Sequence, residues 1–285
     1  MKMSSKGEAA FRVRAAVRRL NRIRWHAKAR SIRAYGANSA SLTERARYVL
    51  WDPEVGDFSF HLADLDAAAR FLAEGFDVTP AQARALLDEP AADQQLAADY
   101  ADLRRWTLLR AEMALGHRPL LWALIRLRRP SLVVETGLWY GLGAMVMLRA
   151  LERNALDGHE HGKLISFDPD PTAGWMVPER HSPHWTWVRA TTQDALEANL
   201  RGRRLDLFVH DTPSEPDLER YELRTAAEAA APGAILCSGN GTNTPALREL
   251  CSNRPVSLLH HDYSARGHFY RGNGISFAVT PDEVS

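Results

Sequence analysis

The chain predicts an α/β protein: a doubly wound, mostly parallel sheet with a terminal antiparallel strand pair, preceded by a helical N-terminal region. Three observations carry that expectation. After Pro130, short β-rich apolar runs alternate with helical patterns, the rhythm of a parallel sheet covered on both faces. At residues 133–144, "VVETGLWYGLGA" takes a strand through a glycine turn and into an apolar helical pattern. The last two apolar runs, "VSLLHHDY" and "GISFAVT", are joined by "SARGHFYRGN", too short and polar for a crossover helix, so they pair antiparallel.

The totals bound the class. With 285 residues, 45% of them hydrophobic and 25% charged, the chain has room for one large domain and an appendage. Cys237 and Cys251 give neither a disulfide framework nor zinc-ligand spacing, so core packing in a reducing compartment is the reading. No apolar run reaches the roughly 18 residues a membrane span needs; "LLWALIRL" is the best attempt and lies between Arg118 and Arg128. The arginine-rich start lacks the apolar middle of a secretory signal, and the expected location is cytoplasmic.

Net charge of +1 hides a polarised chain. Residues 1–35 hold 11 basic residues against one acid, Glu8, and the remaining 250 hold 25 basic against 34 acidic. The pattern "AFRVRAAVRRLNRIRWHAKA" sets Val13, Val17, Leu20 and Ile23 at helical spacing with arginines around them. Such a basic amphipathic extension suits docking on the acidic body or on a second copy, as in a homodimer, ahead of a membrane surface or nucleic acid. Nucleic acid is not favoured as substrate, because the body is acidic.

Residues 36–116 read as a helical cap facing the substrate. Ser41 and Glu44 stand at capping-box spacing. Asp64 or Asp66 caps a helix through Leu72, Thr79 and Pro80 open another, and further helices are expected over about 93–115 and over "PLLWALIRLRRP" up to Pro130. A single domain is expected over residues 117–285. Its strands are "SLVVET", "KLISFDPD", "WTWVRAT", "LDLFVHD" and "AILCSGN", with a helix from about Pro216 to Ala230 before the fifth.

In open α/β sheets ligands bind beyond the carboxyl ends of the strands, where the glycine turn lies. Gly137, Gly141 and Gly143 do not have the G-x-G-x-x-G dinucleotide spacing, and no Gly-Lys-Ser/Thr follows. Glu135 ends the first strand, where it would repel a pyrophosphate by a few kcal/mol and attract an ammonium. Asp168 closes the second strand, a natural acceptor for both hydroxyls of a ribose. A ligand with a ribose, a cationic amino-acid end and no phosphate fits both acids, and S-adenosylmethionine is that molecule.

On these motifs, and on the fourth strand, helix and fifth strand of "LDLFVHDTPSEPDLERYEL" and "RTAAEAAAPGAILCSGN", the chain resembles the class I S-adenosylmethionine-dependent methyltransferases over about residues 117–285. The resemblance implies a Rossmann-like sheet. It implies cofactor contacts from Glu135, Thr136, Gly137 and Gly141 at the methionine end, Gly143 at the helix start, and Asp168 with Pro169 at the ribose. Thr191 and Thr192 stand where the family delivers a polar contact to the adenine, and Asp211 borders cofactor and acceptor. It further implies in-line methyl transfer to a small molecule, with O-methylation the leading chemistry and Asp211 or His210 as base. The loop around Trp175 and Met176 is expected to shape the acceptor pocket.

The sheet also resembles metal-dependent catechol-type methyltransferases, which use an acid after the fourth strand and an Asp-Asn pair after the fifth. Asp211 and Asn240 are present, but Gly239 replaces the second acid, so a divalent metal is allowed and not favoured, and no metal ligand is assigned. Of the remaining histidines, His159 and His161 are expected in solvent, and His181 and His184 in a loop on the productive side of the sheet, where a substrate role is open to them but not favoured. The alternatives are an NAD(P)-dependent oxidoreductase and a cofactor-fold protein that binds without reacting.

Overall fold

The computed structural model describes residues 42–43, 60–104, 113–212, 215–239, 241, 245–252, 256–266 and 272–281. The basic helix expected over 10–29, most of the segment opened by Ser41 and Glu44, and Asn240 lie outside the described residues. The rest falls into two compact units: the described parts of Met1–Ala63, Ala91–Gly116 and Ser264–Gly272, and those of Asp64–Pro90, His117–Tyr263 and Asn273–Ser285.

In the first unit, strand His61–Leu62 pairs antiparallel with Ala265–Arg266. The helix expected over 93–115 runs from Gln94 to Arg104, with Asp93 accepting from the Leu96 N–H at 2.7 Å as its cap. Residues 113–115 are not helical, and Gly116, at φ +61°, donates its N–H to Phe60 and bridges His61. The pairing of Gly116 with Phe60 and His61 holds the end of that segment out of the helix.

The second unit holds the sheet. Its strands are β1 (Leu132–Thr136), β2 (Lys163–Phe167), β3 (Trp185–Val188), β4 (Leu205–His210), β5 (Ala230–Ser238), β6 (Ser257–His261) and β7 (Ile275–Val279). Their order is β3-β2-β1-β4-β5-β7-β6, parallel through β5, with β7 antiparallel to both β5 and β6. The sheet is thus the doubly wound, mostly parallel one predicted, antiparallel pair included. The chain starts in the middle at β1, moves out through β2 and β3, then returns to β4 on the other side. The order reverses between β1 and β4, and a crevice opens beyond the carboxyl ends of those two strands.

Helices cover both faces: α1 (Leu65–Phe76), α2 (Pro80–Ala92), α3 (Arg118–Arg128), α4 (Leu142–Leu156), α5 (Thr192–Leu200), α6 (Pro216–Glu228) and α7 (Ala246–Ser252). Local chemistry sets their starts. Asp64 accepts from the Ala67 N–H at 2.8 Å to cap α1, and Thr79 and Gln82 exchange hydrogen bonds ahead of α2 as a capping box. The helix expected to reach Ala230 stops at Glu228, because Ala230 already pairs with Leu205 in the sheet.

Alternation along the strands then sorts the side chains. Val134, Phe208, Leu236 and Ala278 face α5, α6 and α7, where they pack with Leu196, Leu223, Ala226 and Leu247 in one buried core. The next residues along β1 and β7, Glu135 and Phe277, face the opposite side, where Phe277 meets Phe71 of α1 at a ring separation of 5.4 Å. No helix of the described residues is long and apolar enough to cross a membrane.

Candidate active site at the carboxyl edge of the sheet

The glycine turn follows from backbone geometry. Gly137 and Gly141 sit at φ +84° and +88°, where a side chain is strained. A β-carbon on Gly137 would lie 2.3 Å from the carbonyl oxygen of Asp211, so only glycine lets the ends of β1 and β4 close together there. Gly141 begins α4, and its N–H returns to the Leu138 carbonyl at 2.8 Å to tighten the turn. Gly143 is required for another reason: the space its β-carbon would fill lies 2.8 Å from Glu135 Oε1 and 3.7 Å from Arg118 Nε. Glu135 therefore reaches under the first turn of α4.

Glu135 is 2% exposed and accepts a 2.8 Å hydrogen bond from Ser166 Oγ, its neighbour in register on β2. Trp185 Nε1 in turn donates to Ser166 Oγ at 3.0 Å. Burial pushes the Glu135 carboxyl up to about 8; the Ser166 bond and Arg118 oppose that, and the charges of Asp211 and Asp168 add to it. The three acids thus share one electrostatic neighbourhood. Asp211, half-buried after β4, is also raised by burial, against the pull of Arg118 and His210. The place of a side chain on Gly239 lies 3.3 Å from Asp211 Oδ1.

Asp168 organises the turn itself. Its carboxylate accepts from the Trp139 N–H at 2.8 Å and from the Asp170 N–H at 2.9 Å. A carboxylate has about four lone-pair positions, so capacity for ligand hydroxyls remains. Trp139 carries the turn at φ +46°, unusual for a residue with a side chain, and its ring is 57% exposed. The loop after Pro169 docks on this turn through its backbone: Gly174 N–H donates to Trp139 O at 2.8 Å and Met176 N–H to Tyr140 O at 2.9 Å. The Trp175 ring meets Tyr140 edge-on at 5.6 Å. Trp175 and Met176 are thereby tied to the glycine turn.

A different group gathers on the other face of the sheet. Thr136 and His210 stand in register on β1 and β4, and Ser238 stands beside His210 on β5. All three turn toward α6. Glu222 Oε2 accepts from Thr136 Oγ1 at 2.7 Å and pairs with His210 Nδ1 at 2.7 Å; Thr212 Oγ1 adds a 3.2 Å bond. Glu222 Oε1 accepts from Thr192 Oγ1 at 2.6 Å. Glu219, one turn earlier on α6, accepts from Ser238 Oγ at 2.6 Å and stands 3.7 Å from His210 Nε2. Glu219, Glu222 and His210 are fully buried.

The structure therefore brings Glu135, Gly137, Gly141, Gly143, Asp168 and Asp211 around one crevice. Thr136, Thr192 and His210 are gathered by Glu222 on the opposite face. Thr191 caps α5, accepting from the Asp194 N–H. His161, expected in solvent, stacks on His184 with ring centroids 3.4 Å apart, where β2 and β3 begin. The loop carrying His181 and His184 thus leaves the carboxyl edge near Asp168 and ends at the opposite edge of the sheet. Among the described residues, no three His, Cys, Asp or Glu side chains form a group able to hold a metal ion.

Sequence reading did not single out Arg118, Ser166, Glu219 or Glu222. Two of them left a signal. Glu219 and Glu222 share the helical stripe of Leu223 and Ala226 on α6, so they occupy apolar positions. Arg118 heads a helix whose next seven residues are all buried.

Residues 134–240 match the family model described as a methyltransferase domain. No curated protein sequence matches the chain. Among solved structures, a methyltransferase from Geobacter sulfurreducens is 17% identical, with 66% of this chain and 90% of that one covered at a TM-score of 0.46. An O-methyltransferase from Bacillus cereus in complex with SAH is 13% identical, covering 75% and 97%, TM-score 0.46. An O-methyltransferase from Streptomyces achromogenes involved in tomaymycin synthesis, in complex with SAM, is 16% identical, covering 66% and 90%, TM-score 0.46. The family match spans the end of β1 with Glu135, the glycine turn, Asp168 and Asp211, and over residues 134–240 the chain is similar to a methyltransferase domain.

Proposed function

We propose that the chain methylates an oxygen of a small-molecule acceptor, with S-adenosylmethionine held by Glu135, Gly137, Gly141 and Asp168 and with Asp211 as the base. The observation that supports it is the convergence of three carboxylates, Glu135, Asp168 and Asp211, on the crevice where the strand order reverses. Such a site repels phosphates and attracts a ligand bearing positive charge. The residues suit the cofactor on chemical grounds: Glu135 is a buried carboxylate beside a backbone cradle, and Asp168 has acceptor positions left for a ribose.

The bound cofactor supplies a methyl carbon on a sulfonium, a leaving group that departs neutral. The chain's own residues supply position and proton transfer. The turn from Gly137 to Gly141 and the loop bonded to it through Gly174 and Met176 fix the donor side, so the acceptor approaches in line. Asp211, its carboxyl made more basic by burial, takes the acceptor's hydroxyl proton as the C–O bond forms and the methyl–sulfur bond breaks. His210 does not share that work in this reading, because Glu222 and Glu219 enclose it on the other face. A divalent cation finds Asp211 beside Gly239 rather than a second acid, which is a poor donor set.

Asp211→Asn is expected to lower kcat by about 10²- to 10⁴-fold while leaving S-adenosylmethionine binding within a few-fold. The check is formation of S-adenosylhomocysteine and a methyl ether from a panel of hydroxylated small molecules. Methyl transfer only to nitrogen or carbon acceptors, or an Asp211→Asn variant as fast as the wild type, contradicts the proposal.

A further inference from the structure

Asp211 carries the proposed proton transfer, yet the residues on either side of it in the chain turn the other way. His210 Nδ1 and Thr212 Oγ1 both reach one atom, Glu222 Oε2, at 2.7 and 3.2 Å. Asp211 is thus the middle of three residues whose outer two are tied to a single carboxylate oxygen on α6. The same oxygen accepts from Thr136 Oγ1 at 2.7 Å, and Thr136 is the residue before Gly137. Backbone bonds close the same junction: the Asp211 N–H donates to the Thr136 carbonyl at 2.9 Å and the Gly239 N–H to the His210 carbonyl at 3.0 Å. Thr136, His210 and Glu222 are fully buried, so no water competes for these bonds.

We infer that Glu222 is a positioning residue, which from behind the sheet fixes how the end of β4 presents Asp211 to the acceptor. This rests on the reading of Asp211 as the base and deepens it. Glu222 acts through His210 and Thr212, and through Thr136 it ties Asp211 to the start of the glycine turn, so the proton acceptor and the donor side are set relative to each other by one carboxylate. Directional bonds do what apolar packing would not, because they fix rotation as well as distance. A carboxylate suits the place: one oxygen serves β1 and β4 while the other accepts from Thr192 Oγ1 at the start of α5, at 2.6 Å. An amide of the same size has a single acceptor oxygen and must give up one side. Misplacing a reacting group by about 1 Å costs on the order of a hundredfold in rate.

The test is a double-mutant cycle of Glu222→Gln and Asp211→Asn in the full chain, read by methyl-ether formation on the hydroxylated acceptor that turns over fastest and by amide hydrogen exchange without ligand. Glu222→Gln is expected to lower kcat by about ten- to a hundredfold, with KM for S-adenosylmethionine within a few-fold of the wild type. The double variant should be no slower than Asp211→Asn alone, because the loss runs through Asp211. In the ligand-free protein the Asp211 amide of Glu222→Gln should exchange about tenfold faster relative to the amides inside β4, the mark of a local opening. Lost stability alone would speed all of these amides together. Thr212→Val removes one of the two links beside Asp211 and carries the same cycle if the glutamine variant does not fold. Losses that multiply in the double variant, an unchanged kcat, or exchange at Asp211 that moves only with the rest of β4 each overturn the inference. If the wild type methylates no acceptor, or Asp211→Asn is as fast as the wild type, the base reading fails first, which those two proteins show by themselves, and the inference falls with it.

Discussion

Glu135→Gln is expected to weaken S-adenosylmethionine binding on the order of a hundredfold near pH 7.5, the usual consequence of removing one partner of a buried charged pair. The pH dependence makes the prediction specific. Burial holds the Glu135 carboxyl at about 8, so in the free protein at pH 7 it is mostly protonated, and it must ionise to meet an ammonium. Wild-type affinity should then rise about tenfold between pH 6 and pH 7, with close to one proton released per ligand bound at pH 7. The glutamine variant should be flat over that range and release none. Calorimetry in buffers of different ionisation enthalpy measures both quantities. Stability gives a second reading with its own sign. A carboxyl raised in the folded state stabilises fully below its unfolded value and loses that contribution as pH climbs toward 8, so Glu135→Gln should flatten stability against pH in that window. A wild-type affinity independent of pH from 6 to 7 would remove Glu135 from ligand contact.

Glu222→Ala is expected to be the most destabilising single change in the described core, at about 3–5 kcal/mol. Its carboxylate joins the ends of β1 and β4 to the start of α5 through Thr136, His210 and Thr192, all buried. Alanine leaves those donors without their acceptor in a space closed to water. Against the 5–15 kcal/mol typical of a folded domain, such a loss is large, and the melting temperature should fall by on the order of 10 °C. Urea unfolding followed by circular dichroism reads it directly. A variant that melts within a degree or two of the wild type would show that the network contributes little.

These two expectations differ in how far the sequence anticipates them. Glu135 is legible because an acid between a buried strand and a glycine turn has few other uses, and Asp168 is legible because it ends the next strand. The strands are legible for a related reason: runs such as "LVVET" and "LDLFVH" are buried on both faces and flanked by turn residues, so local pattern and tertiary environment agree. Glu222 was not anticipated, because an acid on a helix usually faces water, and only the register of Thr136, His210 and Ser238 across three strands shows what it meets. The same register explains why the site expectation divides. Residues adjacent in sequence, Glu135 and Thr136, fall on opposite faces of the sheet, and Thr136 finds Glu222 instead of the crevice. Arg118 lies outside the motifs and reaches the crevice only because the start of α3 packs beside Gly143. The helix expected to extend to Leu115 is absent at residues 113–115, next to Gly116, which pairs with Phe60 and His61 in a way that composition does not reveal.

Titration of the full chain with S-adenosylmethionine and, separately, with NAD at pH 7.5 tests most directly whether the acids at the head of the sheet choose the ligand. Saturable binding of the sulfonium nucleoside at micromolar concentrations, with NAD at least a hundredfold weaker, is the predicted result. Tighter binding of NAD, whose pyrophosphate would have to sit against Glu135 and Asp211, would contradict the account.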